Sequence, residues 1–310
     1  MYPPSAPGSL KKGEPMPSES VYTNGVLFSG SLPGIFAEET CRSQNFSMTT
    51  RHTHENLELY FLFSGERFYF VDQDTYHLKK QMAILVNRNQ IHKTSPAGPG
   101  EAHRFLLQLD PVKLQPFFRE LGFRDASAFG DRYWGAVSFS DSEWALAEAL
   151  LARIRKCFRE PDALSSAEIR LSCLEIFLLF ARCRTAGNRI KTGGEENKAI
   201  VNTGMYQKVH EIALYLQNHS AEPLSLSALS GRFYLSRSYL TRIFKSVTGF
   251  TVLEYQTYIR MQKAQLLLKE TDLSITEIAA ETGFGNVTYF ERIFRKATSV
   301  TPFRYRRDRK

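Results

Sequence analysis

Residues 239–245 read YLTRIFK, and fifty positions later residues 289–295 read YFERIFR. The aromatic, arginine, isoleucine, phenylalanine and basic positions match, so this part of the chain contains an internal repeat. Upstream, LSLSAL at 224–229 matches LSITEI at 273–278, forty-nine positions later. The one-residue difference in offset falls in the turn between the two segments. This repeat decides the fold of the last third of the chain.

Each copy of the repeat predicts a short helix, a tight turn and a second helix. In the second helix apolar residues recur at i, i+3, i+4 and i+7, while the opposite face carries Ser, Thr, Arg and Lys. This pattern indicates a helix-turn-helix, whose second helix packs through its apolar stripe and presents its polar face to the major groove. The stripes are Leu240, Ile243, Phe244 and Val247, and then Phe290, Ile293, Phe294 and Ala297.

Two capping-box signatures mark helix starts in this region. Ser274 with Glu277 opens the short helix of the second copy, and Thr251 with Glu254 opens a helix that runs to about Lys269. A helix of about nineteen residues spans roughly 28 Å at about 1.5 Å per residue. That length suits two readers lying about one turn of DNA apart.

Residues 204–310 resemble the double helix-turn-helix DNA-binding domain of the AraC/XylS family of bacterial transcription regulators. In the second copy the resemblance lies in Ile278, Ala279, Gly283, Phe284, Tyr289, Phe290, 292–296, Thr301, Pro302, Tyr305 and Arg306. In the first copy and the joining helix it lies in Ser236, Tyr239, Leu240, Arg242, Phe244, Lys245, Gly249, Arg260 and Ala264.

The resemblance implies which residues meet DNA. The exposed starts of the two second helices would contact bases, and an arginine fork on guanine is a specific contact, whereas a phosphate contact is the alternative for the arginines. Basic residues farther along each helix would contact phosphates. The predicted DNA-binding residues are Ser236, Arg237, Ser238, Tyr239, Arg242, Lys245, Asn286, Val287, Thr288, Arg292, Arg295 and Lys296.

Two positions depart from the family pattern. Tyr234 stands where the second copy has Gly283, so the first turn needs either a different backbone or a non-glycine residue in the left-handed conformation. Ser299 stands where the family often has Gly. Both departures concern local geometry at a turn.

The charge is concentrated in the same region. Residues 204–310 contain 16 Lys and Arg against 9 Asp and Glu, a charge of +7, whereas residues 1–203 carry +1. A basic third favours a polyanionic partner, with a solvated basic face as the alternative. No apolar run is long enough to cross a membrane, and Cys41, Cys157, Cys173 and Cys183 lack metal-binding spacing. The sequence therefore predicts a cytoplasmic protein with reduced thiols.

The predicted fold class is α+β with two domains. Residues 1–20, rich in Pro, Ser and Gly, predict a disordered tail and no signal peptide. Short aromatic and aliphatic runs separated by turn residues predict the strands of a sandwich or barrel over 21–112. The family resemblance and the histidine pattern described below imply that this region is a cupin-like effector-binding barrel. Two dimerisation helices follow within 113–186, then a linker over 187–203. The all-α C-terminal domain, 204–310, carries the two helix-turn-helix motifs joined by a long helix.

The two predicted dimerisation helices cover roughly 141–158 and 166–184. Ser140 with Glu143 and Ser165 with Glu168 are candidate capping boxes for their starts. The second helix has an apolar stripe that is wide enough to face both its own domain and a partner subunit; burial within the subunit is the alternative.

A histidine pattern opens the barrel region. His52, His54, Glu58 and Gly65 have the spacing of the first signature of cupin barrels, and His92 stands where the second signature has a histidine. Alternate residues of a strand point to one side, so we expect these side chains to lie together. The Pro and Gly expected before His92 are absent, because residues 86–90 read VNRNQ.

Three interpretations of this cluster stay open. It borders an effector pocket with Arg51, His52, His54, Glu58, Tyr60 and His92; or His52, His54, Glu58 and His92 ligate a divalent metal; or the histidines are hydrogen-bonded within the barrel. The predicted function is a sequence-specific transcription regulator, an activator that responds to a small-molecule effector such as a sugar. Its partners would be double-stranded DNA, the effector, a second copy and RNA polymerase, with no membrane.

Two rival functions remain: a metal-dependent cupin enzyme fused to a DNA-binding domain, and a ligand-independent DNA-binding protein. The sequence contains no P-loop, catalytic-triad or dinucleotide-binding motif, so we expect no enzyme and no cofactor beyond the metal of the open alternative.

Overall fold

The computed structural model describes residues 25–42, 54–98, 100–186 and 204–307. Its N-terminal part consists of antiparallel sheets backed by helices, and its C-terminal part is helical, which confirms the α+β fold class. The predicted tail, the whole of the predicted linker, Arg51 and His52 lie outside the described residues. Among the described residues no helix is both long and apolar enough to span a membrane.

Two sheets face each other in the N-terminal domain. One has the strand order β1-β2-β8-β3-β6-β9 and the other β5-β4-β7, with antiparallel pairing throughout. The strands are β1 Gly25–Leu32, β2 Ile35–Arg42, β3 Leu57–Ser64, β4 Arg67–Val71, β5 Asp74–Leu78, β6 Met82–Val86, β7 His92–Pro96, β8 Ala102–Leu109 and β9 Gly135–Ser138.

Side-chain alternation gives each sheet an inner and an outer face. On β3 and β4 the inner residues Tyr60, Leu62, Tyr69 and Val71 share one apolar cluster between the sheets. Phe61 and the other outer residues of the large sheet pack instead against the helices that follow. The predicted barrel is therefore formed by two separate sheets, whose inner faces enclose a common interior that we call the lumen.

Four helices follow β8, with β9 lying between the second and the third: α1 Gln115–Glu120, α2 Ala126–Tyr133, α3 Asp141–Arg159 and α4 Ser165–Thr185. They cover the outer face of the large sheet. Helix α3 begins at the predicted Ser140 and Glu143 capping box. The predicted box at Ser165 is wrong: Ser165 lies inside α4, and the Asp162 carboxylate accepts hydrogen bonds from the backbone N–H groups of Leu164 and Ser165.

Part of the 113–186 region is not helical. Gly135–Ser138 forms the edge strand β9, paired with β6. The region in which the sequence predicted two helices thus also contains one strand of the large sheet. Its four residues carry too little alternation for a strand to be recognised from sequence.

The C-terminal domain contains α5 Gly204–Asn218, α6 Leu226–Arg232, α7 Arg237–Thr248, α8 Val252–Glu270, α9 Ile275–Glu281, α10 Val287–Thr298 and α11 Pro302–Arg307. The pairs α6–α7 and α9–α10 are the two predicted helix-turn-helix motifs, and α8 joins them. The predicted capping boxes at Thr251 and Ser274 are both formed.

The two domains are in contact. Phe68, Phe70 and Ile91, on the outer face of the small sheet, share one apolar cluster with residues of α5, α7 and α8. Lys93 Nζ donates a hydrogen bond to the Ser246 carbonyl near the end of α7, at 2.6 Å. His210 on α5 bonds the carbonyl of Gln73. The first helix-turn-helix motif is thus attached to the sensor domain.

Candidate nucleic-acid interface and sensor site

The predicted DNA-reading helices begin in the same way. Ser236 Oγ accepts a hydrogen bond from the Tyr239 N–H, and Asn286 Oδ1 accepts one from the Tyr289 N–H, at 3.2 and 2.9 Å. These side chains cap the orphan N–H groups of the first turns of α7 and α10. Ser236 and Asn286, predicted as DNA-binding residues, therefore also have a structural role.

The polar faces of α7 and α10 are exposed. Arg242 lies with its guanidinium carbon 5.4 Å from the centre of the Tyr239 ring, and Arg292 lies 5.3 Å from the centre of the Tyr289 ring. A cation over an aromatic face is attracted by the ring and held in a preferred direction. Val287 is half-buried against the second motif's core, whereas the other eleven predicted residues are exposed: Ser236, Arg237, Ser238, Tyr239, Arg242, Lys245, Asn286, Thr288, Arg292, Arg295 and Lys296.

The two motifs are fixed to one another through the loop between α5 and α6. Gln256 and Arg260 on α8 both donate hydrogen bonds to the carbonyls of Ser220 and Glu222. At Gly283 a Cβ atom would lie 2.3 Å from the Ala221 carbonyl oxygen, so the second turn touches this loop directly. The spacing of the two reading helices is consequently a property of the folded domain.

Within the barrel, Glu58 is the centre of a buried polar cluster. Its carboxylate lies 2.9 Å from His54 Nε2 and 3.6 Å from His92 Nε2. The Tyr69 hydroxyl and the Gln108 amide donate hydrogen bonds to it at 2.7 and 3.0 Å. The structure thus brings His54, Glu58 and His92 together, as predicted, although His54 precedes β3 instead of lying on it.

The charge of this cluster is set by burial and by pairing. Burial alone would raise the pKa of Glu58, but His92 and His54 hold it well below its ordinary value. Burial would lower the pKa of His92, and the Glu58 carboxylate reverses that effect, so the pKa of His92 is raised. Burial and Glu58 both raise the pKa of Tyr69. Glu58 is therefore ionised in the folded protein at neutral pH.

The donor set also fits a divalent metal. The ligand atoms of His54, Glu58 and His92 lie within 4.8 Å of one another. His54 Nδ1 contacts the Asn56 carbonyl and His92 Nδ1 contacts the Gln90 carbonyl, both at 3.0 Å. A backbone carbonyl at Nδ1 holds each ring in the orientation that directs Nε2 toward Glu58, which is where an ion would be bound.

Sequence reasoning missed one residue of the site, Gln108, which contacts Glu58 as Tyr69 does. Tyr60 and Tyr69 were both expected among the aromatic residues that line the barrel, and their rings lie 5.2 Å apart in the lumen. The inward parity of Tyr69 on β4 follows from its alternation with Phe68 and Phe70. Gln108 carried no such signal, because its neighbour across the sheet depends on strand order.

A half-buried acid, Asp72, lies between the sensor site and α8. Asp72 accepts hydrogen bonds from the Gln90 amide, the Ile91 N–H and the Tyr258 hydroxyl at 2.8, 3.2 and 3.3 Å. Tyr255 and Tyr258 also donate to the carbonyls of Asp72 and Asn89. Burial raises the pKa of Asp72 to about 6. The backbone that carries His92 is thereby linked to the helix that joins the two motifs.

Comparison with known proteins gives the same division of the chain. The family model described as an AraC-like ligand binding domain matches residues 33–174, and the model described as a helix-turn-helix domain matches residues 229–308. The chain belongs to the AraC family. As a member of this family it is an effector-responsive, DNA-binding transcription regulator.

Relatives match over most of this AraC-family chain. The uncharacterized HTH-type transcriptional regulator YfiF of Bacillus subtilis is 24% identical, covering 84% of this chain and 80% of YfiF. The HTH-type transcriptional activator RhaR of Cronobacter sakazakii is 23% identical, covering 81% and 84%. Among solved structures, the C-terminal domain of AraT from Geobacillus stearothermophilus is 38% identical, covers 33% of this chain and 85% of that one, and has a TM-score of 0.32.

Proposed function

We propose that this protein binds double-stranded DNA as a homodimer, reads bases with the starts of α7 and α10, and activates transcription when a small molecule occupies the lumen. The observation that carries the proposal is the matched placement of Arg242 and Arg292. Each arginine is exposed on its reading helix and lies over the ring of the tyrosine three positions earlier. Equivalent arginines on two helices of fixed spacing suit two successive major-groove contacts.

The reading residues divide by position. Ser238, Arg242, Thr288 and Arg292 lie on the first two turns, where base edges would be reached. Lys245, Arg295 and Lys296 lie farther along the helices and would contact phosphates, which position the protein without reading sequence. Arg237 and Tyr239, in the first turn of α7, border the face that carries the base-reading residues. Val287 is half-buried, so it would make an apolar contact only through its exposed edge.

A leucine stripe on α4 and just before it supports dimerisation. Leu164, Leu171 and Leu178 recur every seven residues and are 65%, 56% and 39% exposed, with half-buried Leu174 between the last two. A seven-residue apolar repeat is the seam of a two-helix coiled coil. The ion pair of Arg153 with Glu175 lies beside this seam. We propose that the second copy packs here.

The lumen is the proposed effector site. Ionised Glu58, Tyr60 and the two histidines offer hydrogen-bonding groups in a buried interior, which is the usual character of a small-molecule site. His92 is joined through Ile91 and Asp72 to Tyr258 on α8. We propose two arrangements of the chain: one in which the C-terminal domain is docked on the barrel domain, and one in which it is released. An effector that binds these two arrangements with different affinities would change the affinity for DNA through this chain of hydrogen bonds.

A divalent metal at His54, Glu58 and His92 is a second candidate, favoured by the converging ligand atoms. A bound ion would supply a positive centre for an oxygen-bearing effector. Metal analysis of the purified protein tests it: about one equivalent of metal that is lost in His92→Ala would support this role, whereas absence of metal from wild-type protein contradicts it.

We propose no enzymatic role, and we place the protein in the cytoplasm, where its DNA target would lie. Activation is proposed because the relative RhaR carries the name of an activator, and RNA polymerase would then be a further partner.

The experiment is selection of genomic DNA fragments by the full-length protein at several salt concentrations. Arg242→Ala and Arg292→Ala are expected to lose fragment preference, by about 1–3 kcal/mol each, while keeping weak salt-sensitive binding. Arg119→Ala, an exposed arginine on α1, is the matched control and should behave as wild type. Unchanged preference in both reading-helix variants would contradict the proposal.

A further inference from the structure

The lumen has two chemically different ends. Glu58, His92 and Gln108 lie at one end, and Arg42, Arg67 and Arg104 lie toward the other. On β8, Arg104 and Gln108 face the same side and are four residues apart, which corresponds to about 13 Å along a strand. Tyr60 lies between them, because it pairs with Leu106.

The three arginines converge from three strands. Arg42 on β2 and Arg104 on β8 belong to neighbouring strands, with Arg104 directly opposite Thr40. Arg67 on β4 enters from the facing sheet, where it is 3% exposed and donates a hydrogen bond to Thr94. Arg104 lies over the Tyr60 ring, with its guanidinium carbon 5.6 Å from the ring centre.

Their charges act on one another. Burial lowers the pKa values of Arg42 and Arg67, and Arg104 lowers both further. Glu38 pairs with Arg104 at 2.7 Å and partly offsets this repulsion. Guanidinium groups this close are stabilised by an anion that can accept hydrogen bonds from more than one of them.

An independent observation points to the same place. Thr40 is 0% exposed, and its hydroxyl oxygen is among the buried side-chain atoms that have no hydrogen-bond partner. It has the inward parity of Glu38 and Arg42 on β2, and it faces Arg104 across the strand pair. A buried hydroxyl without a partner costs free energy, which a ligand atom at this position would recover.

We propose that the effector carries an anionic group, either a carboxylate or a phosphate, and that Arg42, Arg67 and Arg104 bind it with help from Thr40. This inference rests on the proposed sensor function and specifies its ligand chemistry. A planar guanidinium fork matches the oxygen atoms of both groups. A neutral sugar would leave the repulsion among the arginines in place.

The test compares anionic probes with neutral partners of similar shape, using the full-length protein. Glucose 6-phosphate and glucuronate are each compared with glucose, benzoate with benzyl alcohol, and inorganic phosphate with buffer alone. The readouts are the thermal unfolding midpoint and calorimetric affinity. At least one anion is expected to raise the midpoint more than its neutral partner does. A response limited to carboxylates or to phosphates identifies which anion the site takes.

The variants assign the effect to the lumen. Arg67→Met and Arg104→Met are expected to weaken anion binding about tenfold or more, since each removes a charged hydrogen-bond donor. Arg119→Met, on the surface of α1, is the control that should keep wild-type affinity. Should a methionine variant fail to fold, Arg104→Lys retains the charge without the fork and is expected to lose part of the affinity.

Two results would overturn the inference: anions that stabilise the protein no more than their neutral partners, or anion binding that survives in both methionine variants. Fragment selection without ligand, measured on the same preparations, separates this outcome from failure of the regulator proposal. If the protein keeps its DNA preference but does not respond to anions, only the inference of an anion site is contradicted.

Discussion

The two helix-turn-helix motifs have left-handed residues at equivalent backbone positions, but glycine and non-glycine residues are exchanged between them. The turn of the first motif contains Tyr234 at φ 55°, and that of the second contains Gly283 at φ 82°. At the ends of the reading helices the assignment is reversed, with Gly249 at φ 79° and Ser299 at φ 64°. Each motif therefore has one glycine and one non-glycine residue in the left-handed region.

The surroundings explain this difference. Tyr234 is 94% exposed, so its side chain meets no obstacle, whereas a Cβ at position 283 would collide with the Ala221 carbonyl. The hydrogen bonds of the two turns correspond: Leu235 N–H bonds the Ser230 carbonyl, and Phe284 N–H bonds the Ala279 carbonyl. The comparison teaches that the turn geometry is common to both motifs, while the required residue depends on what lies beside the turn.

The largest expected effect is that of Gly283→Ala. Positive φ and the clash with Ala221 together should cost about 3 kcal/mol or more. Hydrogen exchange should show lost protection in α9 and α10 and retained protection in α6 and α7. Gly231→Ala on α6 is the control, because nothing lies within 4 Å of its added Cβ, and it should be neutral or stabilising. Equal loss of hydrogen-exchange protection in both motifs would contradict the prediction that the two turns differ in their need for glycine.

The second prediction concerns docking, which involves the first motif and α8. Burial raises the pKa of Asp72 from the ordinary range of a carboxyl group to about 6. A raised carboxyl pKa means that the folded state binds more protons, so this contribution to stability is greatest at low pH and falls as the pH rises through 6. Asp72→Asn should remove this dependence of stability on pH and stabilise the protein at pH 7 by roughly 2 kcal/mol.

Urea unfolding between pH 4.5 and 7.5 measures this effect as the difference between variant and wild type. The exposed Asp272→Asn is the matched control and should follow the wild-type curve. A difference between Asp72→Asn and wild type that does not grow with pH would contradict the prediction.

A smaller effect sharpens the comparison of left-handed residues. Tyr234→Gly and Ser299→Gly should each relieve about 1 kcal/mol of backbone strain, partly offset by the greater freedom of glycine in the unfolded chain. Thermal unfolding of the two variants measures the net change. A loss above about 1 kcal/mol in Tyr234→Gly would show that its exposed side chain has a stabilising role that the structure does not reveal.

The smallest effect distinguishes the caps of the two short helices. Ser225 and Ser274 both accept a hydrogen bond at the start of their helix, but Ser274 also belongs to a capping box with Glu277. Ser274→Ala should cost about 1 kcal/mol, and Ser225→Ala somewhat less. Urea unfolding measures the loss of stability in each variant, and a larger loss in Ser225→Ala than in Ser274→Ala would contradict this prediction.

Local signals in the sequence predicted the C-terminal domain well. The repeat, two capping boxes and the left-handed option at Tyr234 all depend on residues close together in the chain. The Ser165 box failed because the Asp162 carboxylate accepts the hydrogen bonds of both the Ser165 N–H and the Ser165 hydroxyl, while the Glu168 N–H bonds the Leu164 carbonyl. The edge strand Gly135–Ser138, the contact of Gln108 with Glu58 and the Lys93 bond to α7 depend on strand order and domain docking, which short-range periodicity does not encode.

The contact between Gly283 and Ala221 has a consequence for the DNA target. Because this contact and the bonds from Gln256 and Arg260 hold one reading helix against the other, we expect that a single chain does not adjust to a changed phase of its site. One inserted base pair would move the distal half by about 3.4 Å and turn it by roughly 34° around the duplex. The interval between the two contacted segments should therefore be invariant among the natural sites of this regulator, even where their bases differ.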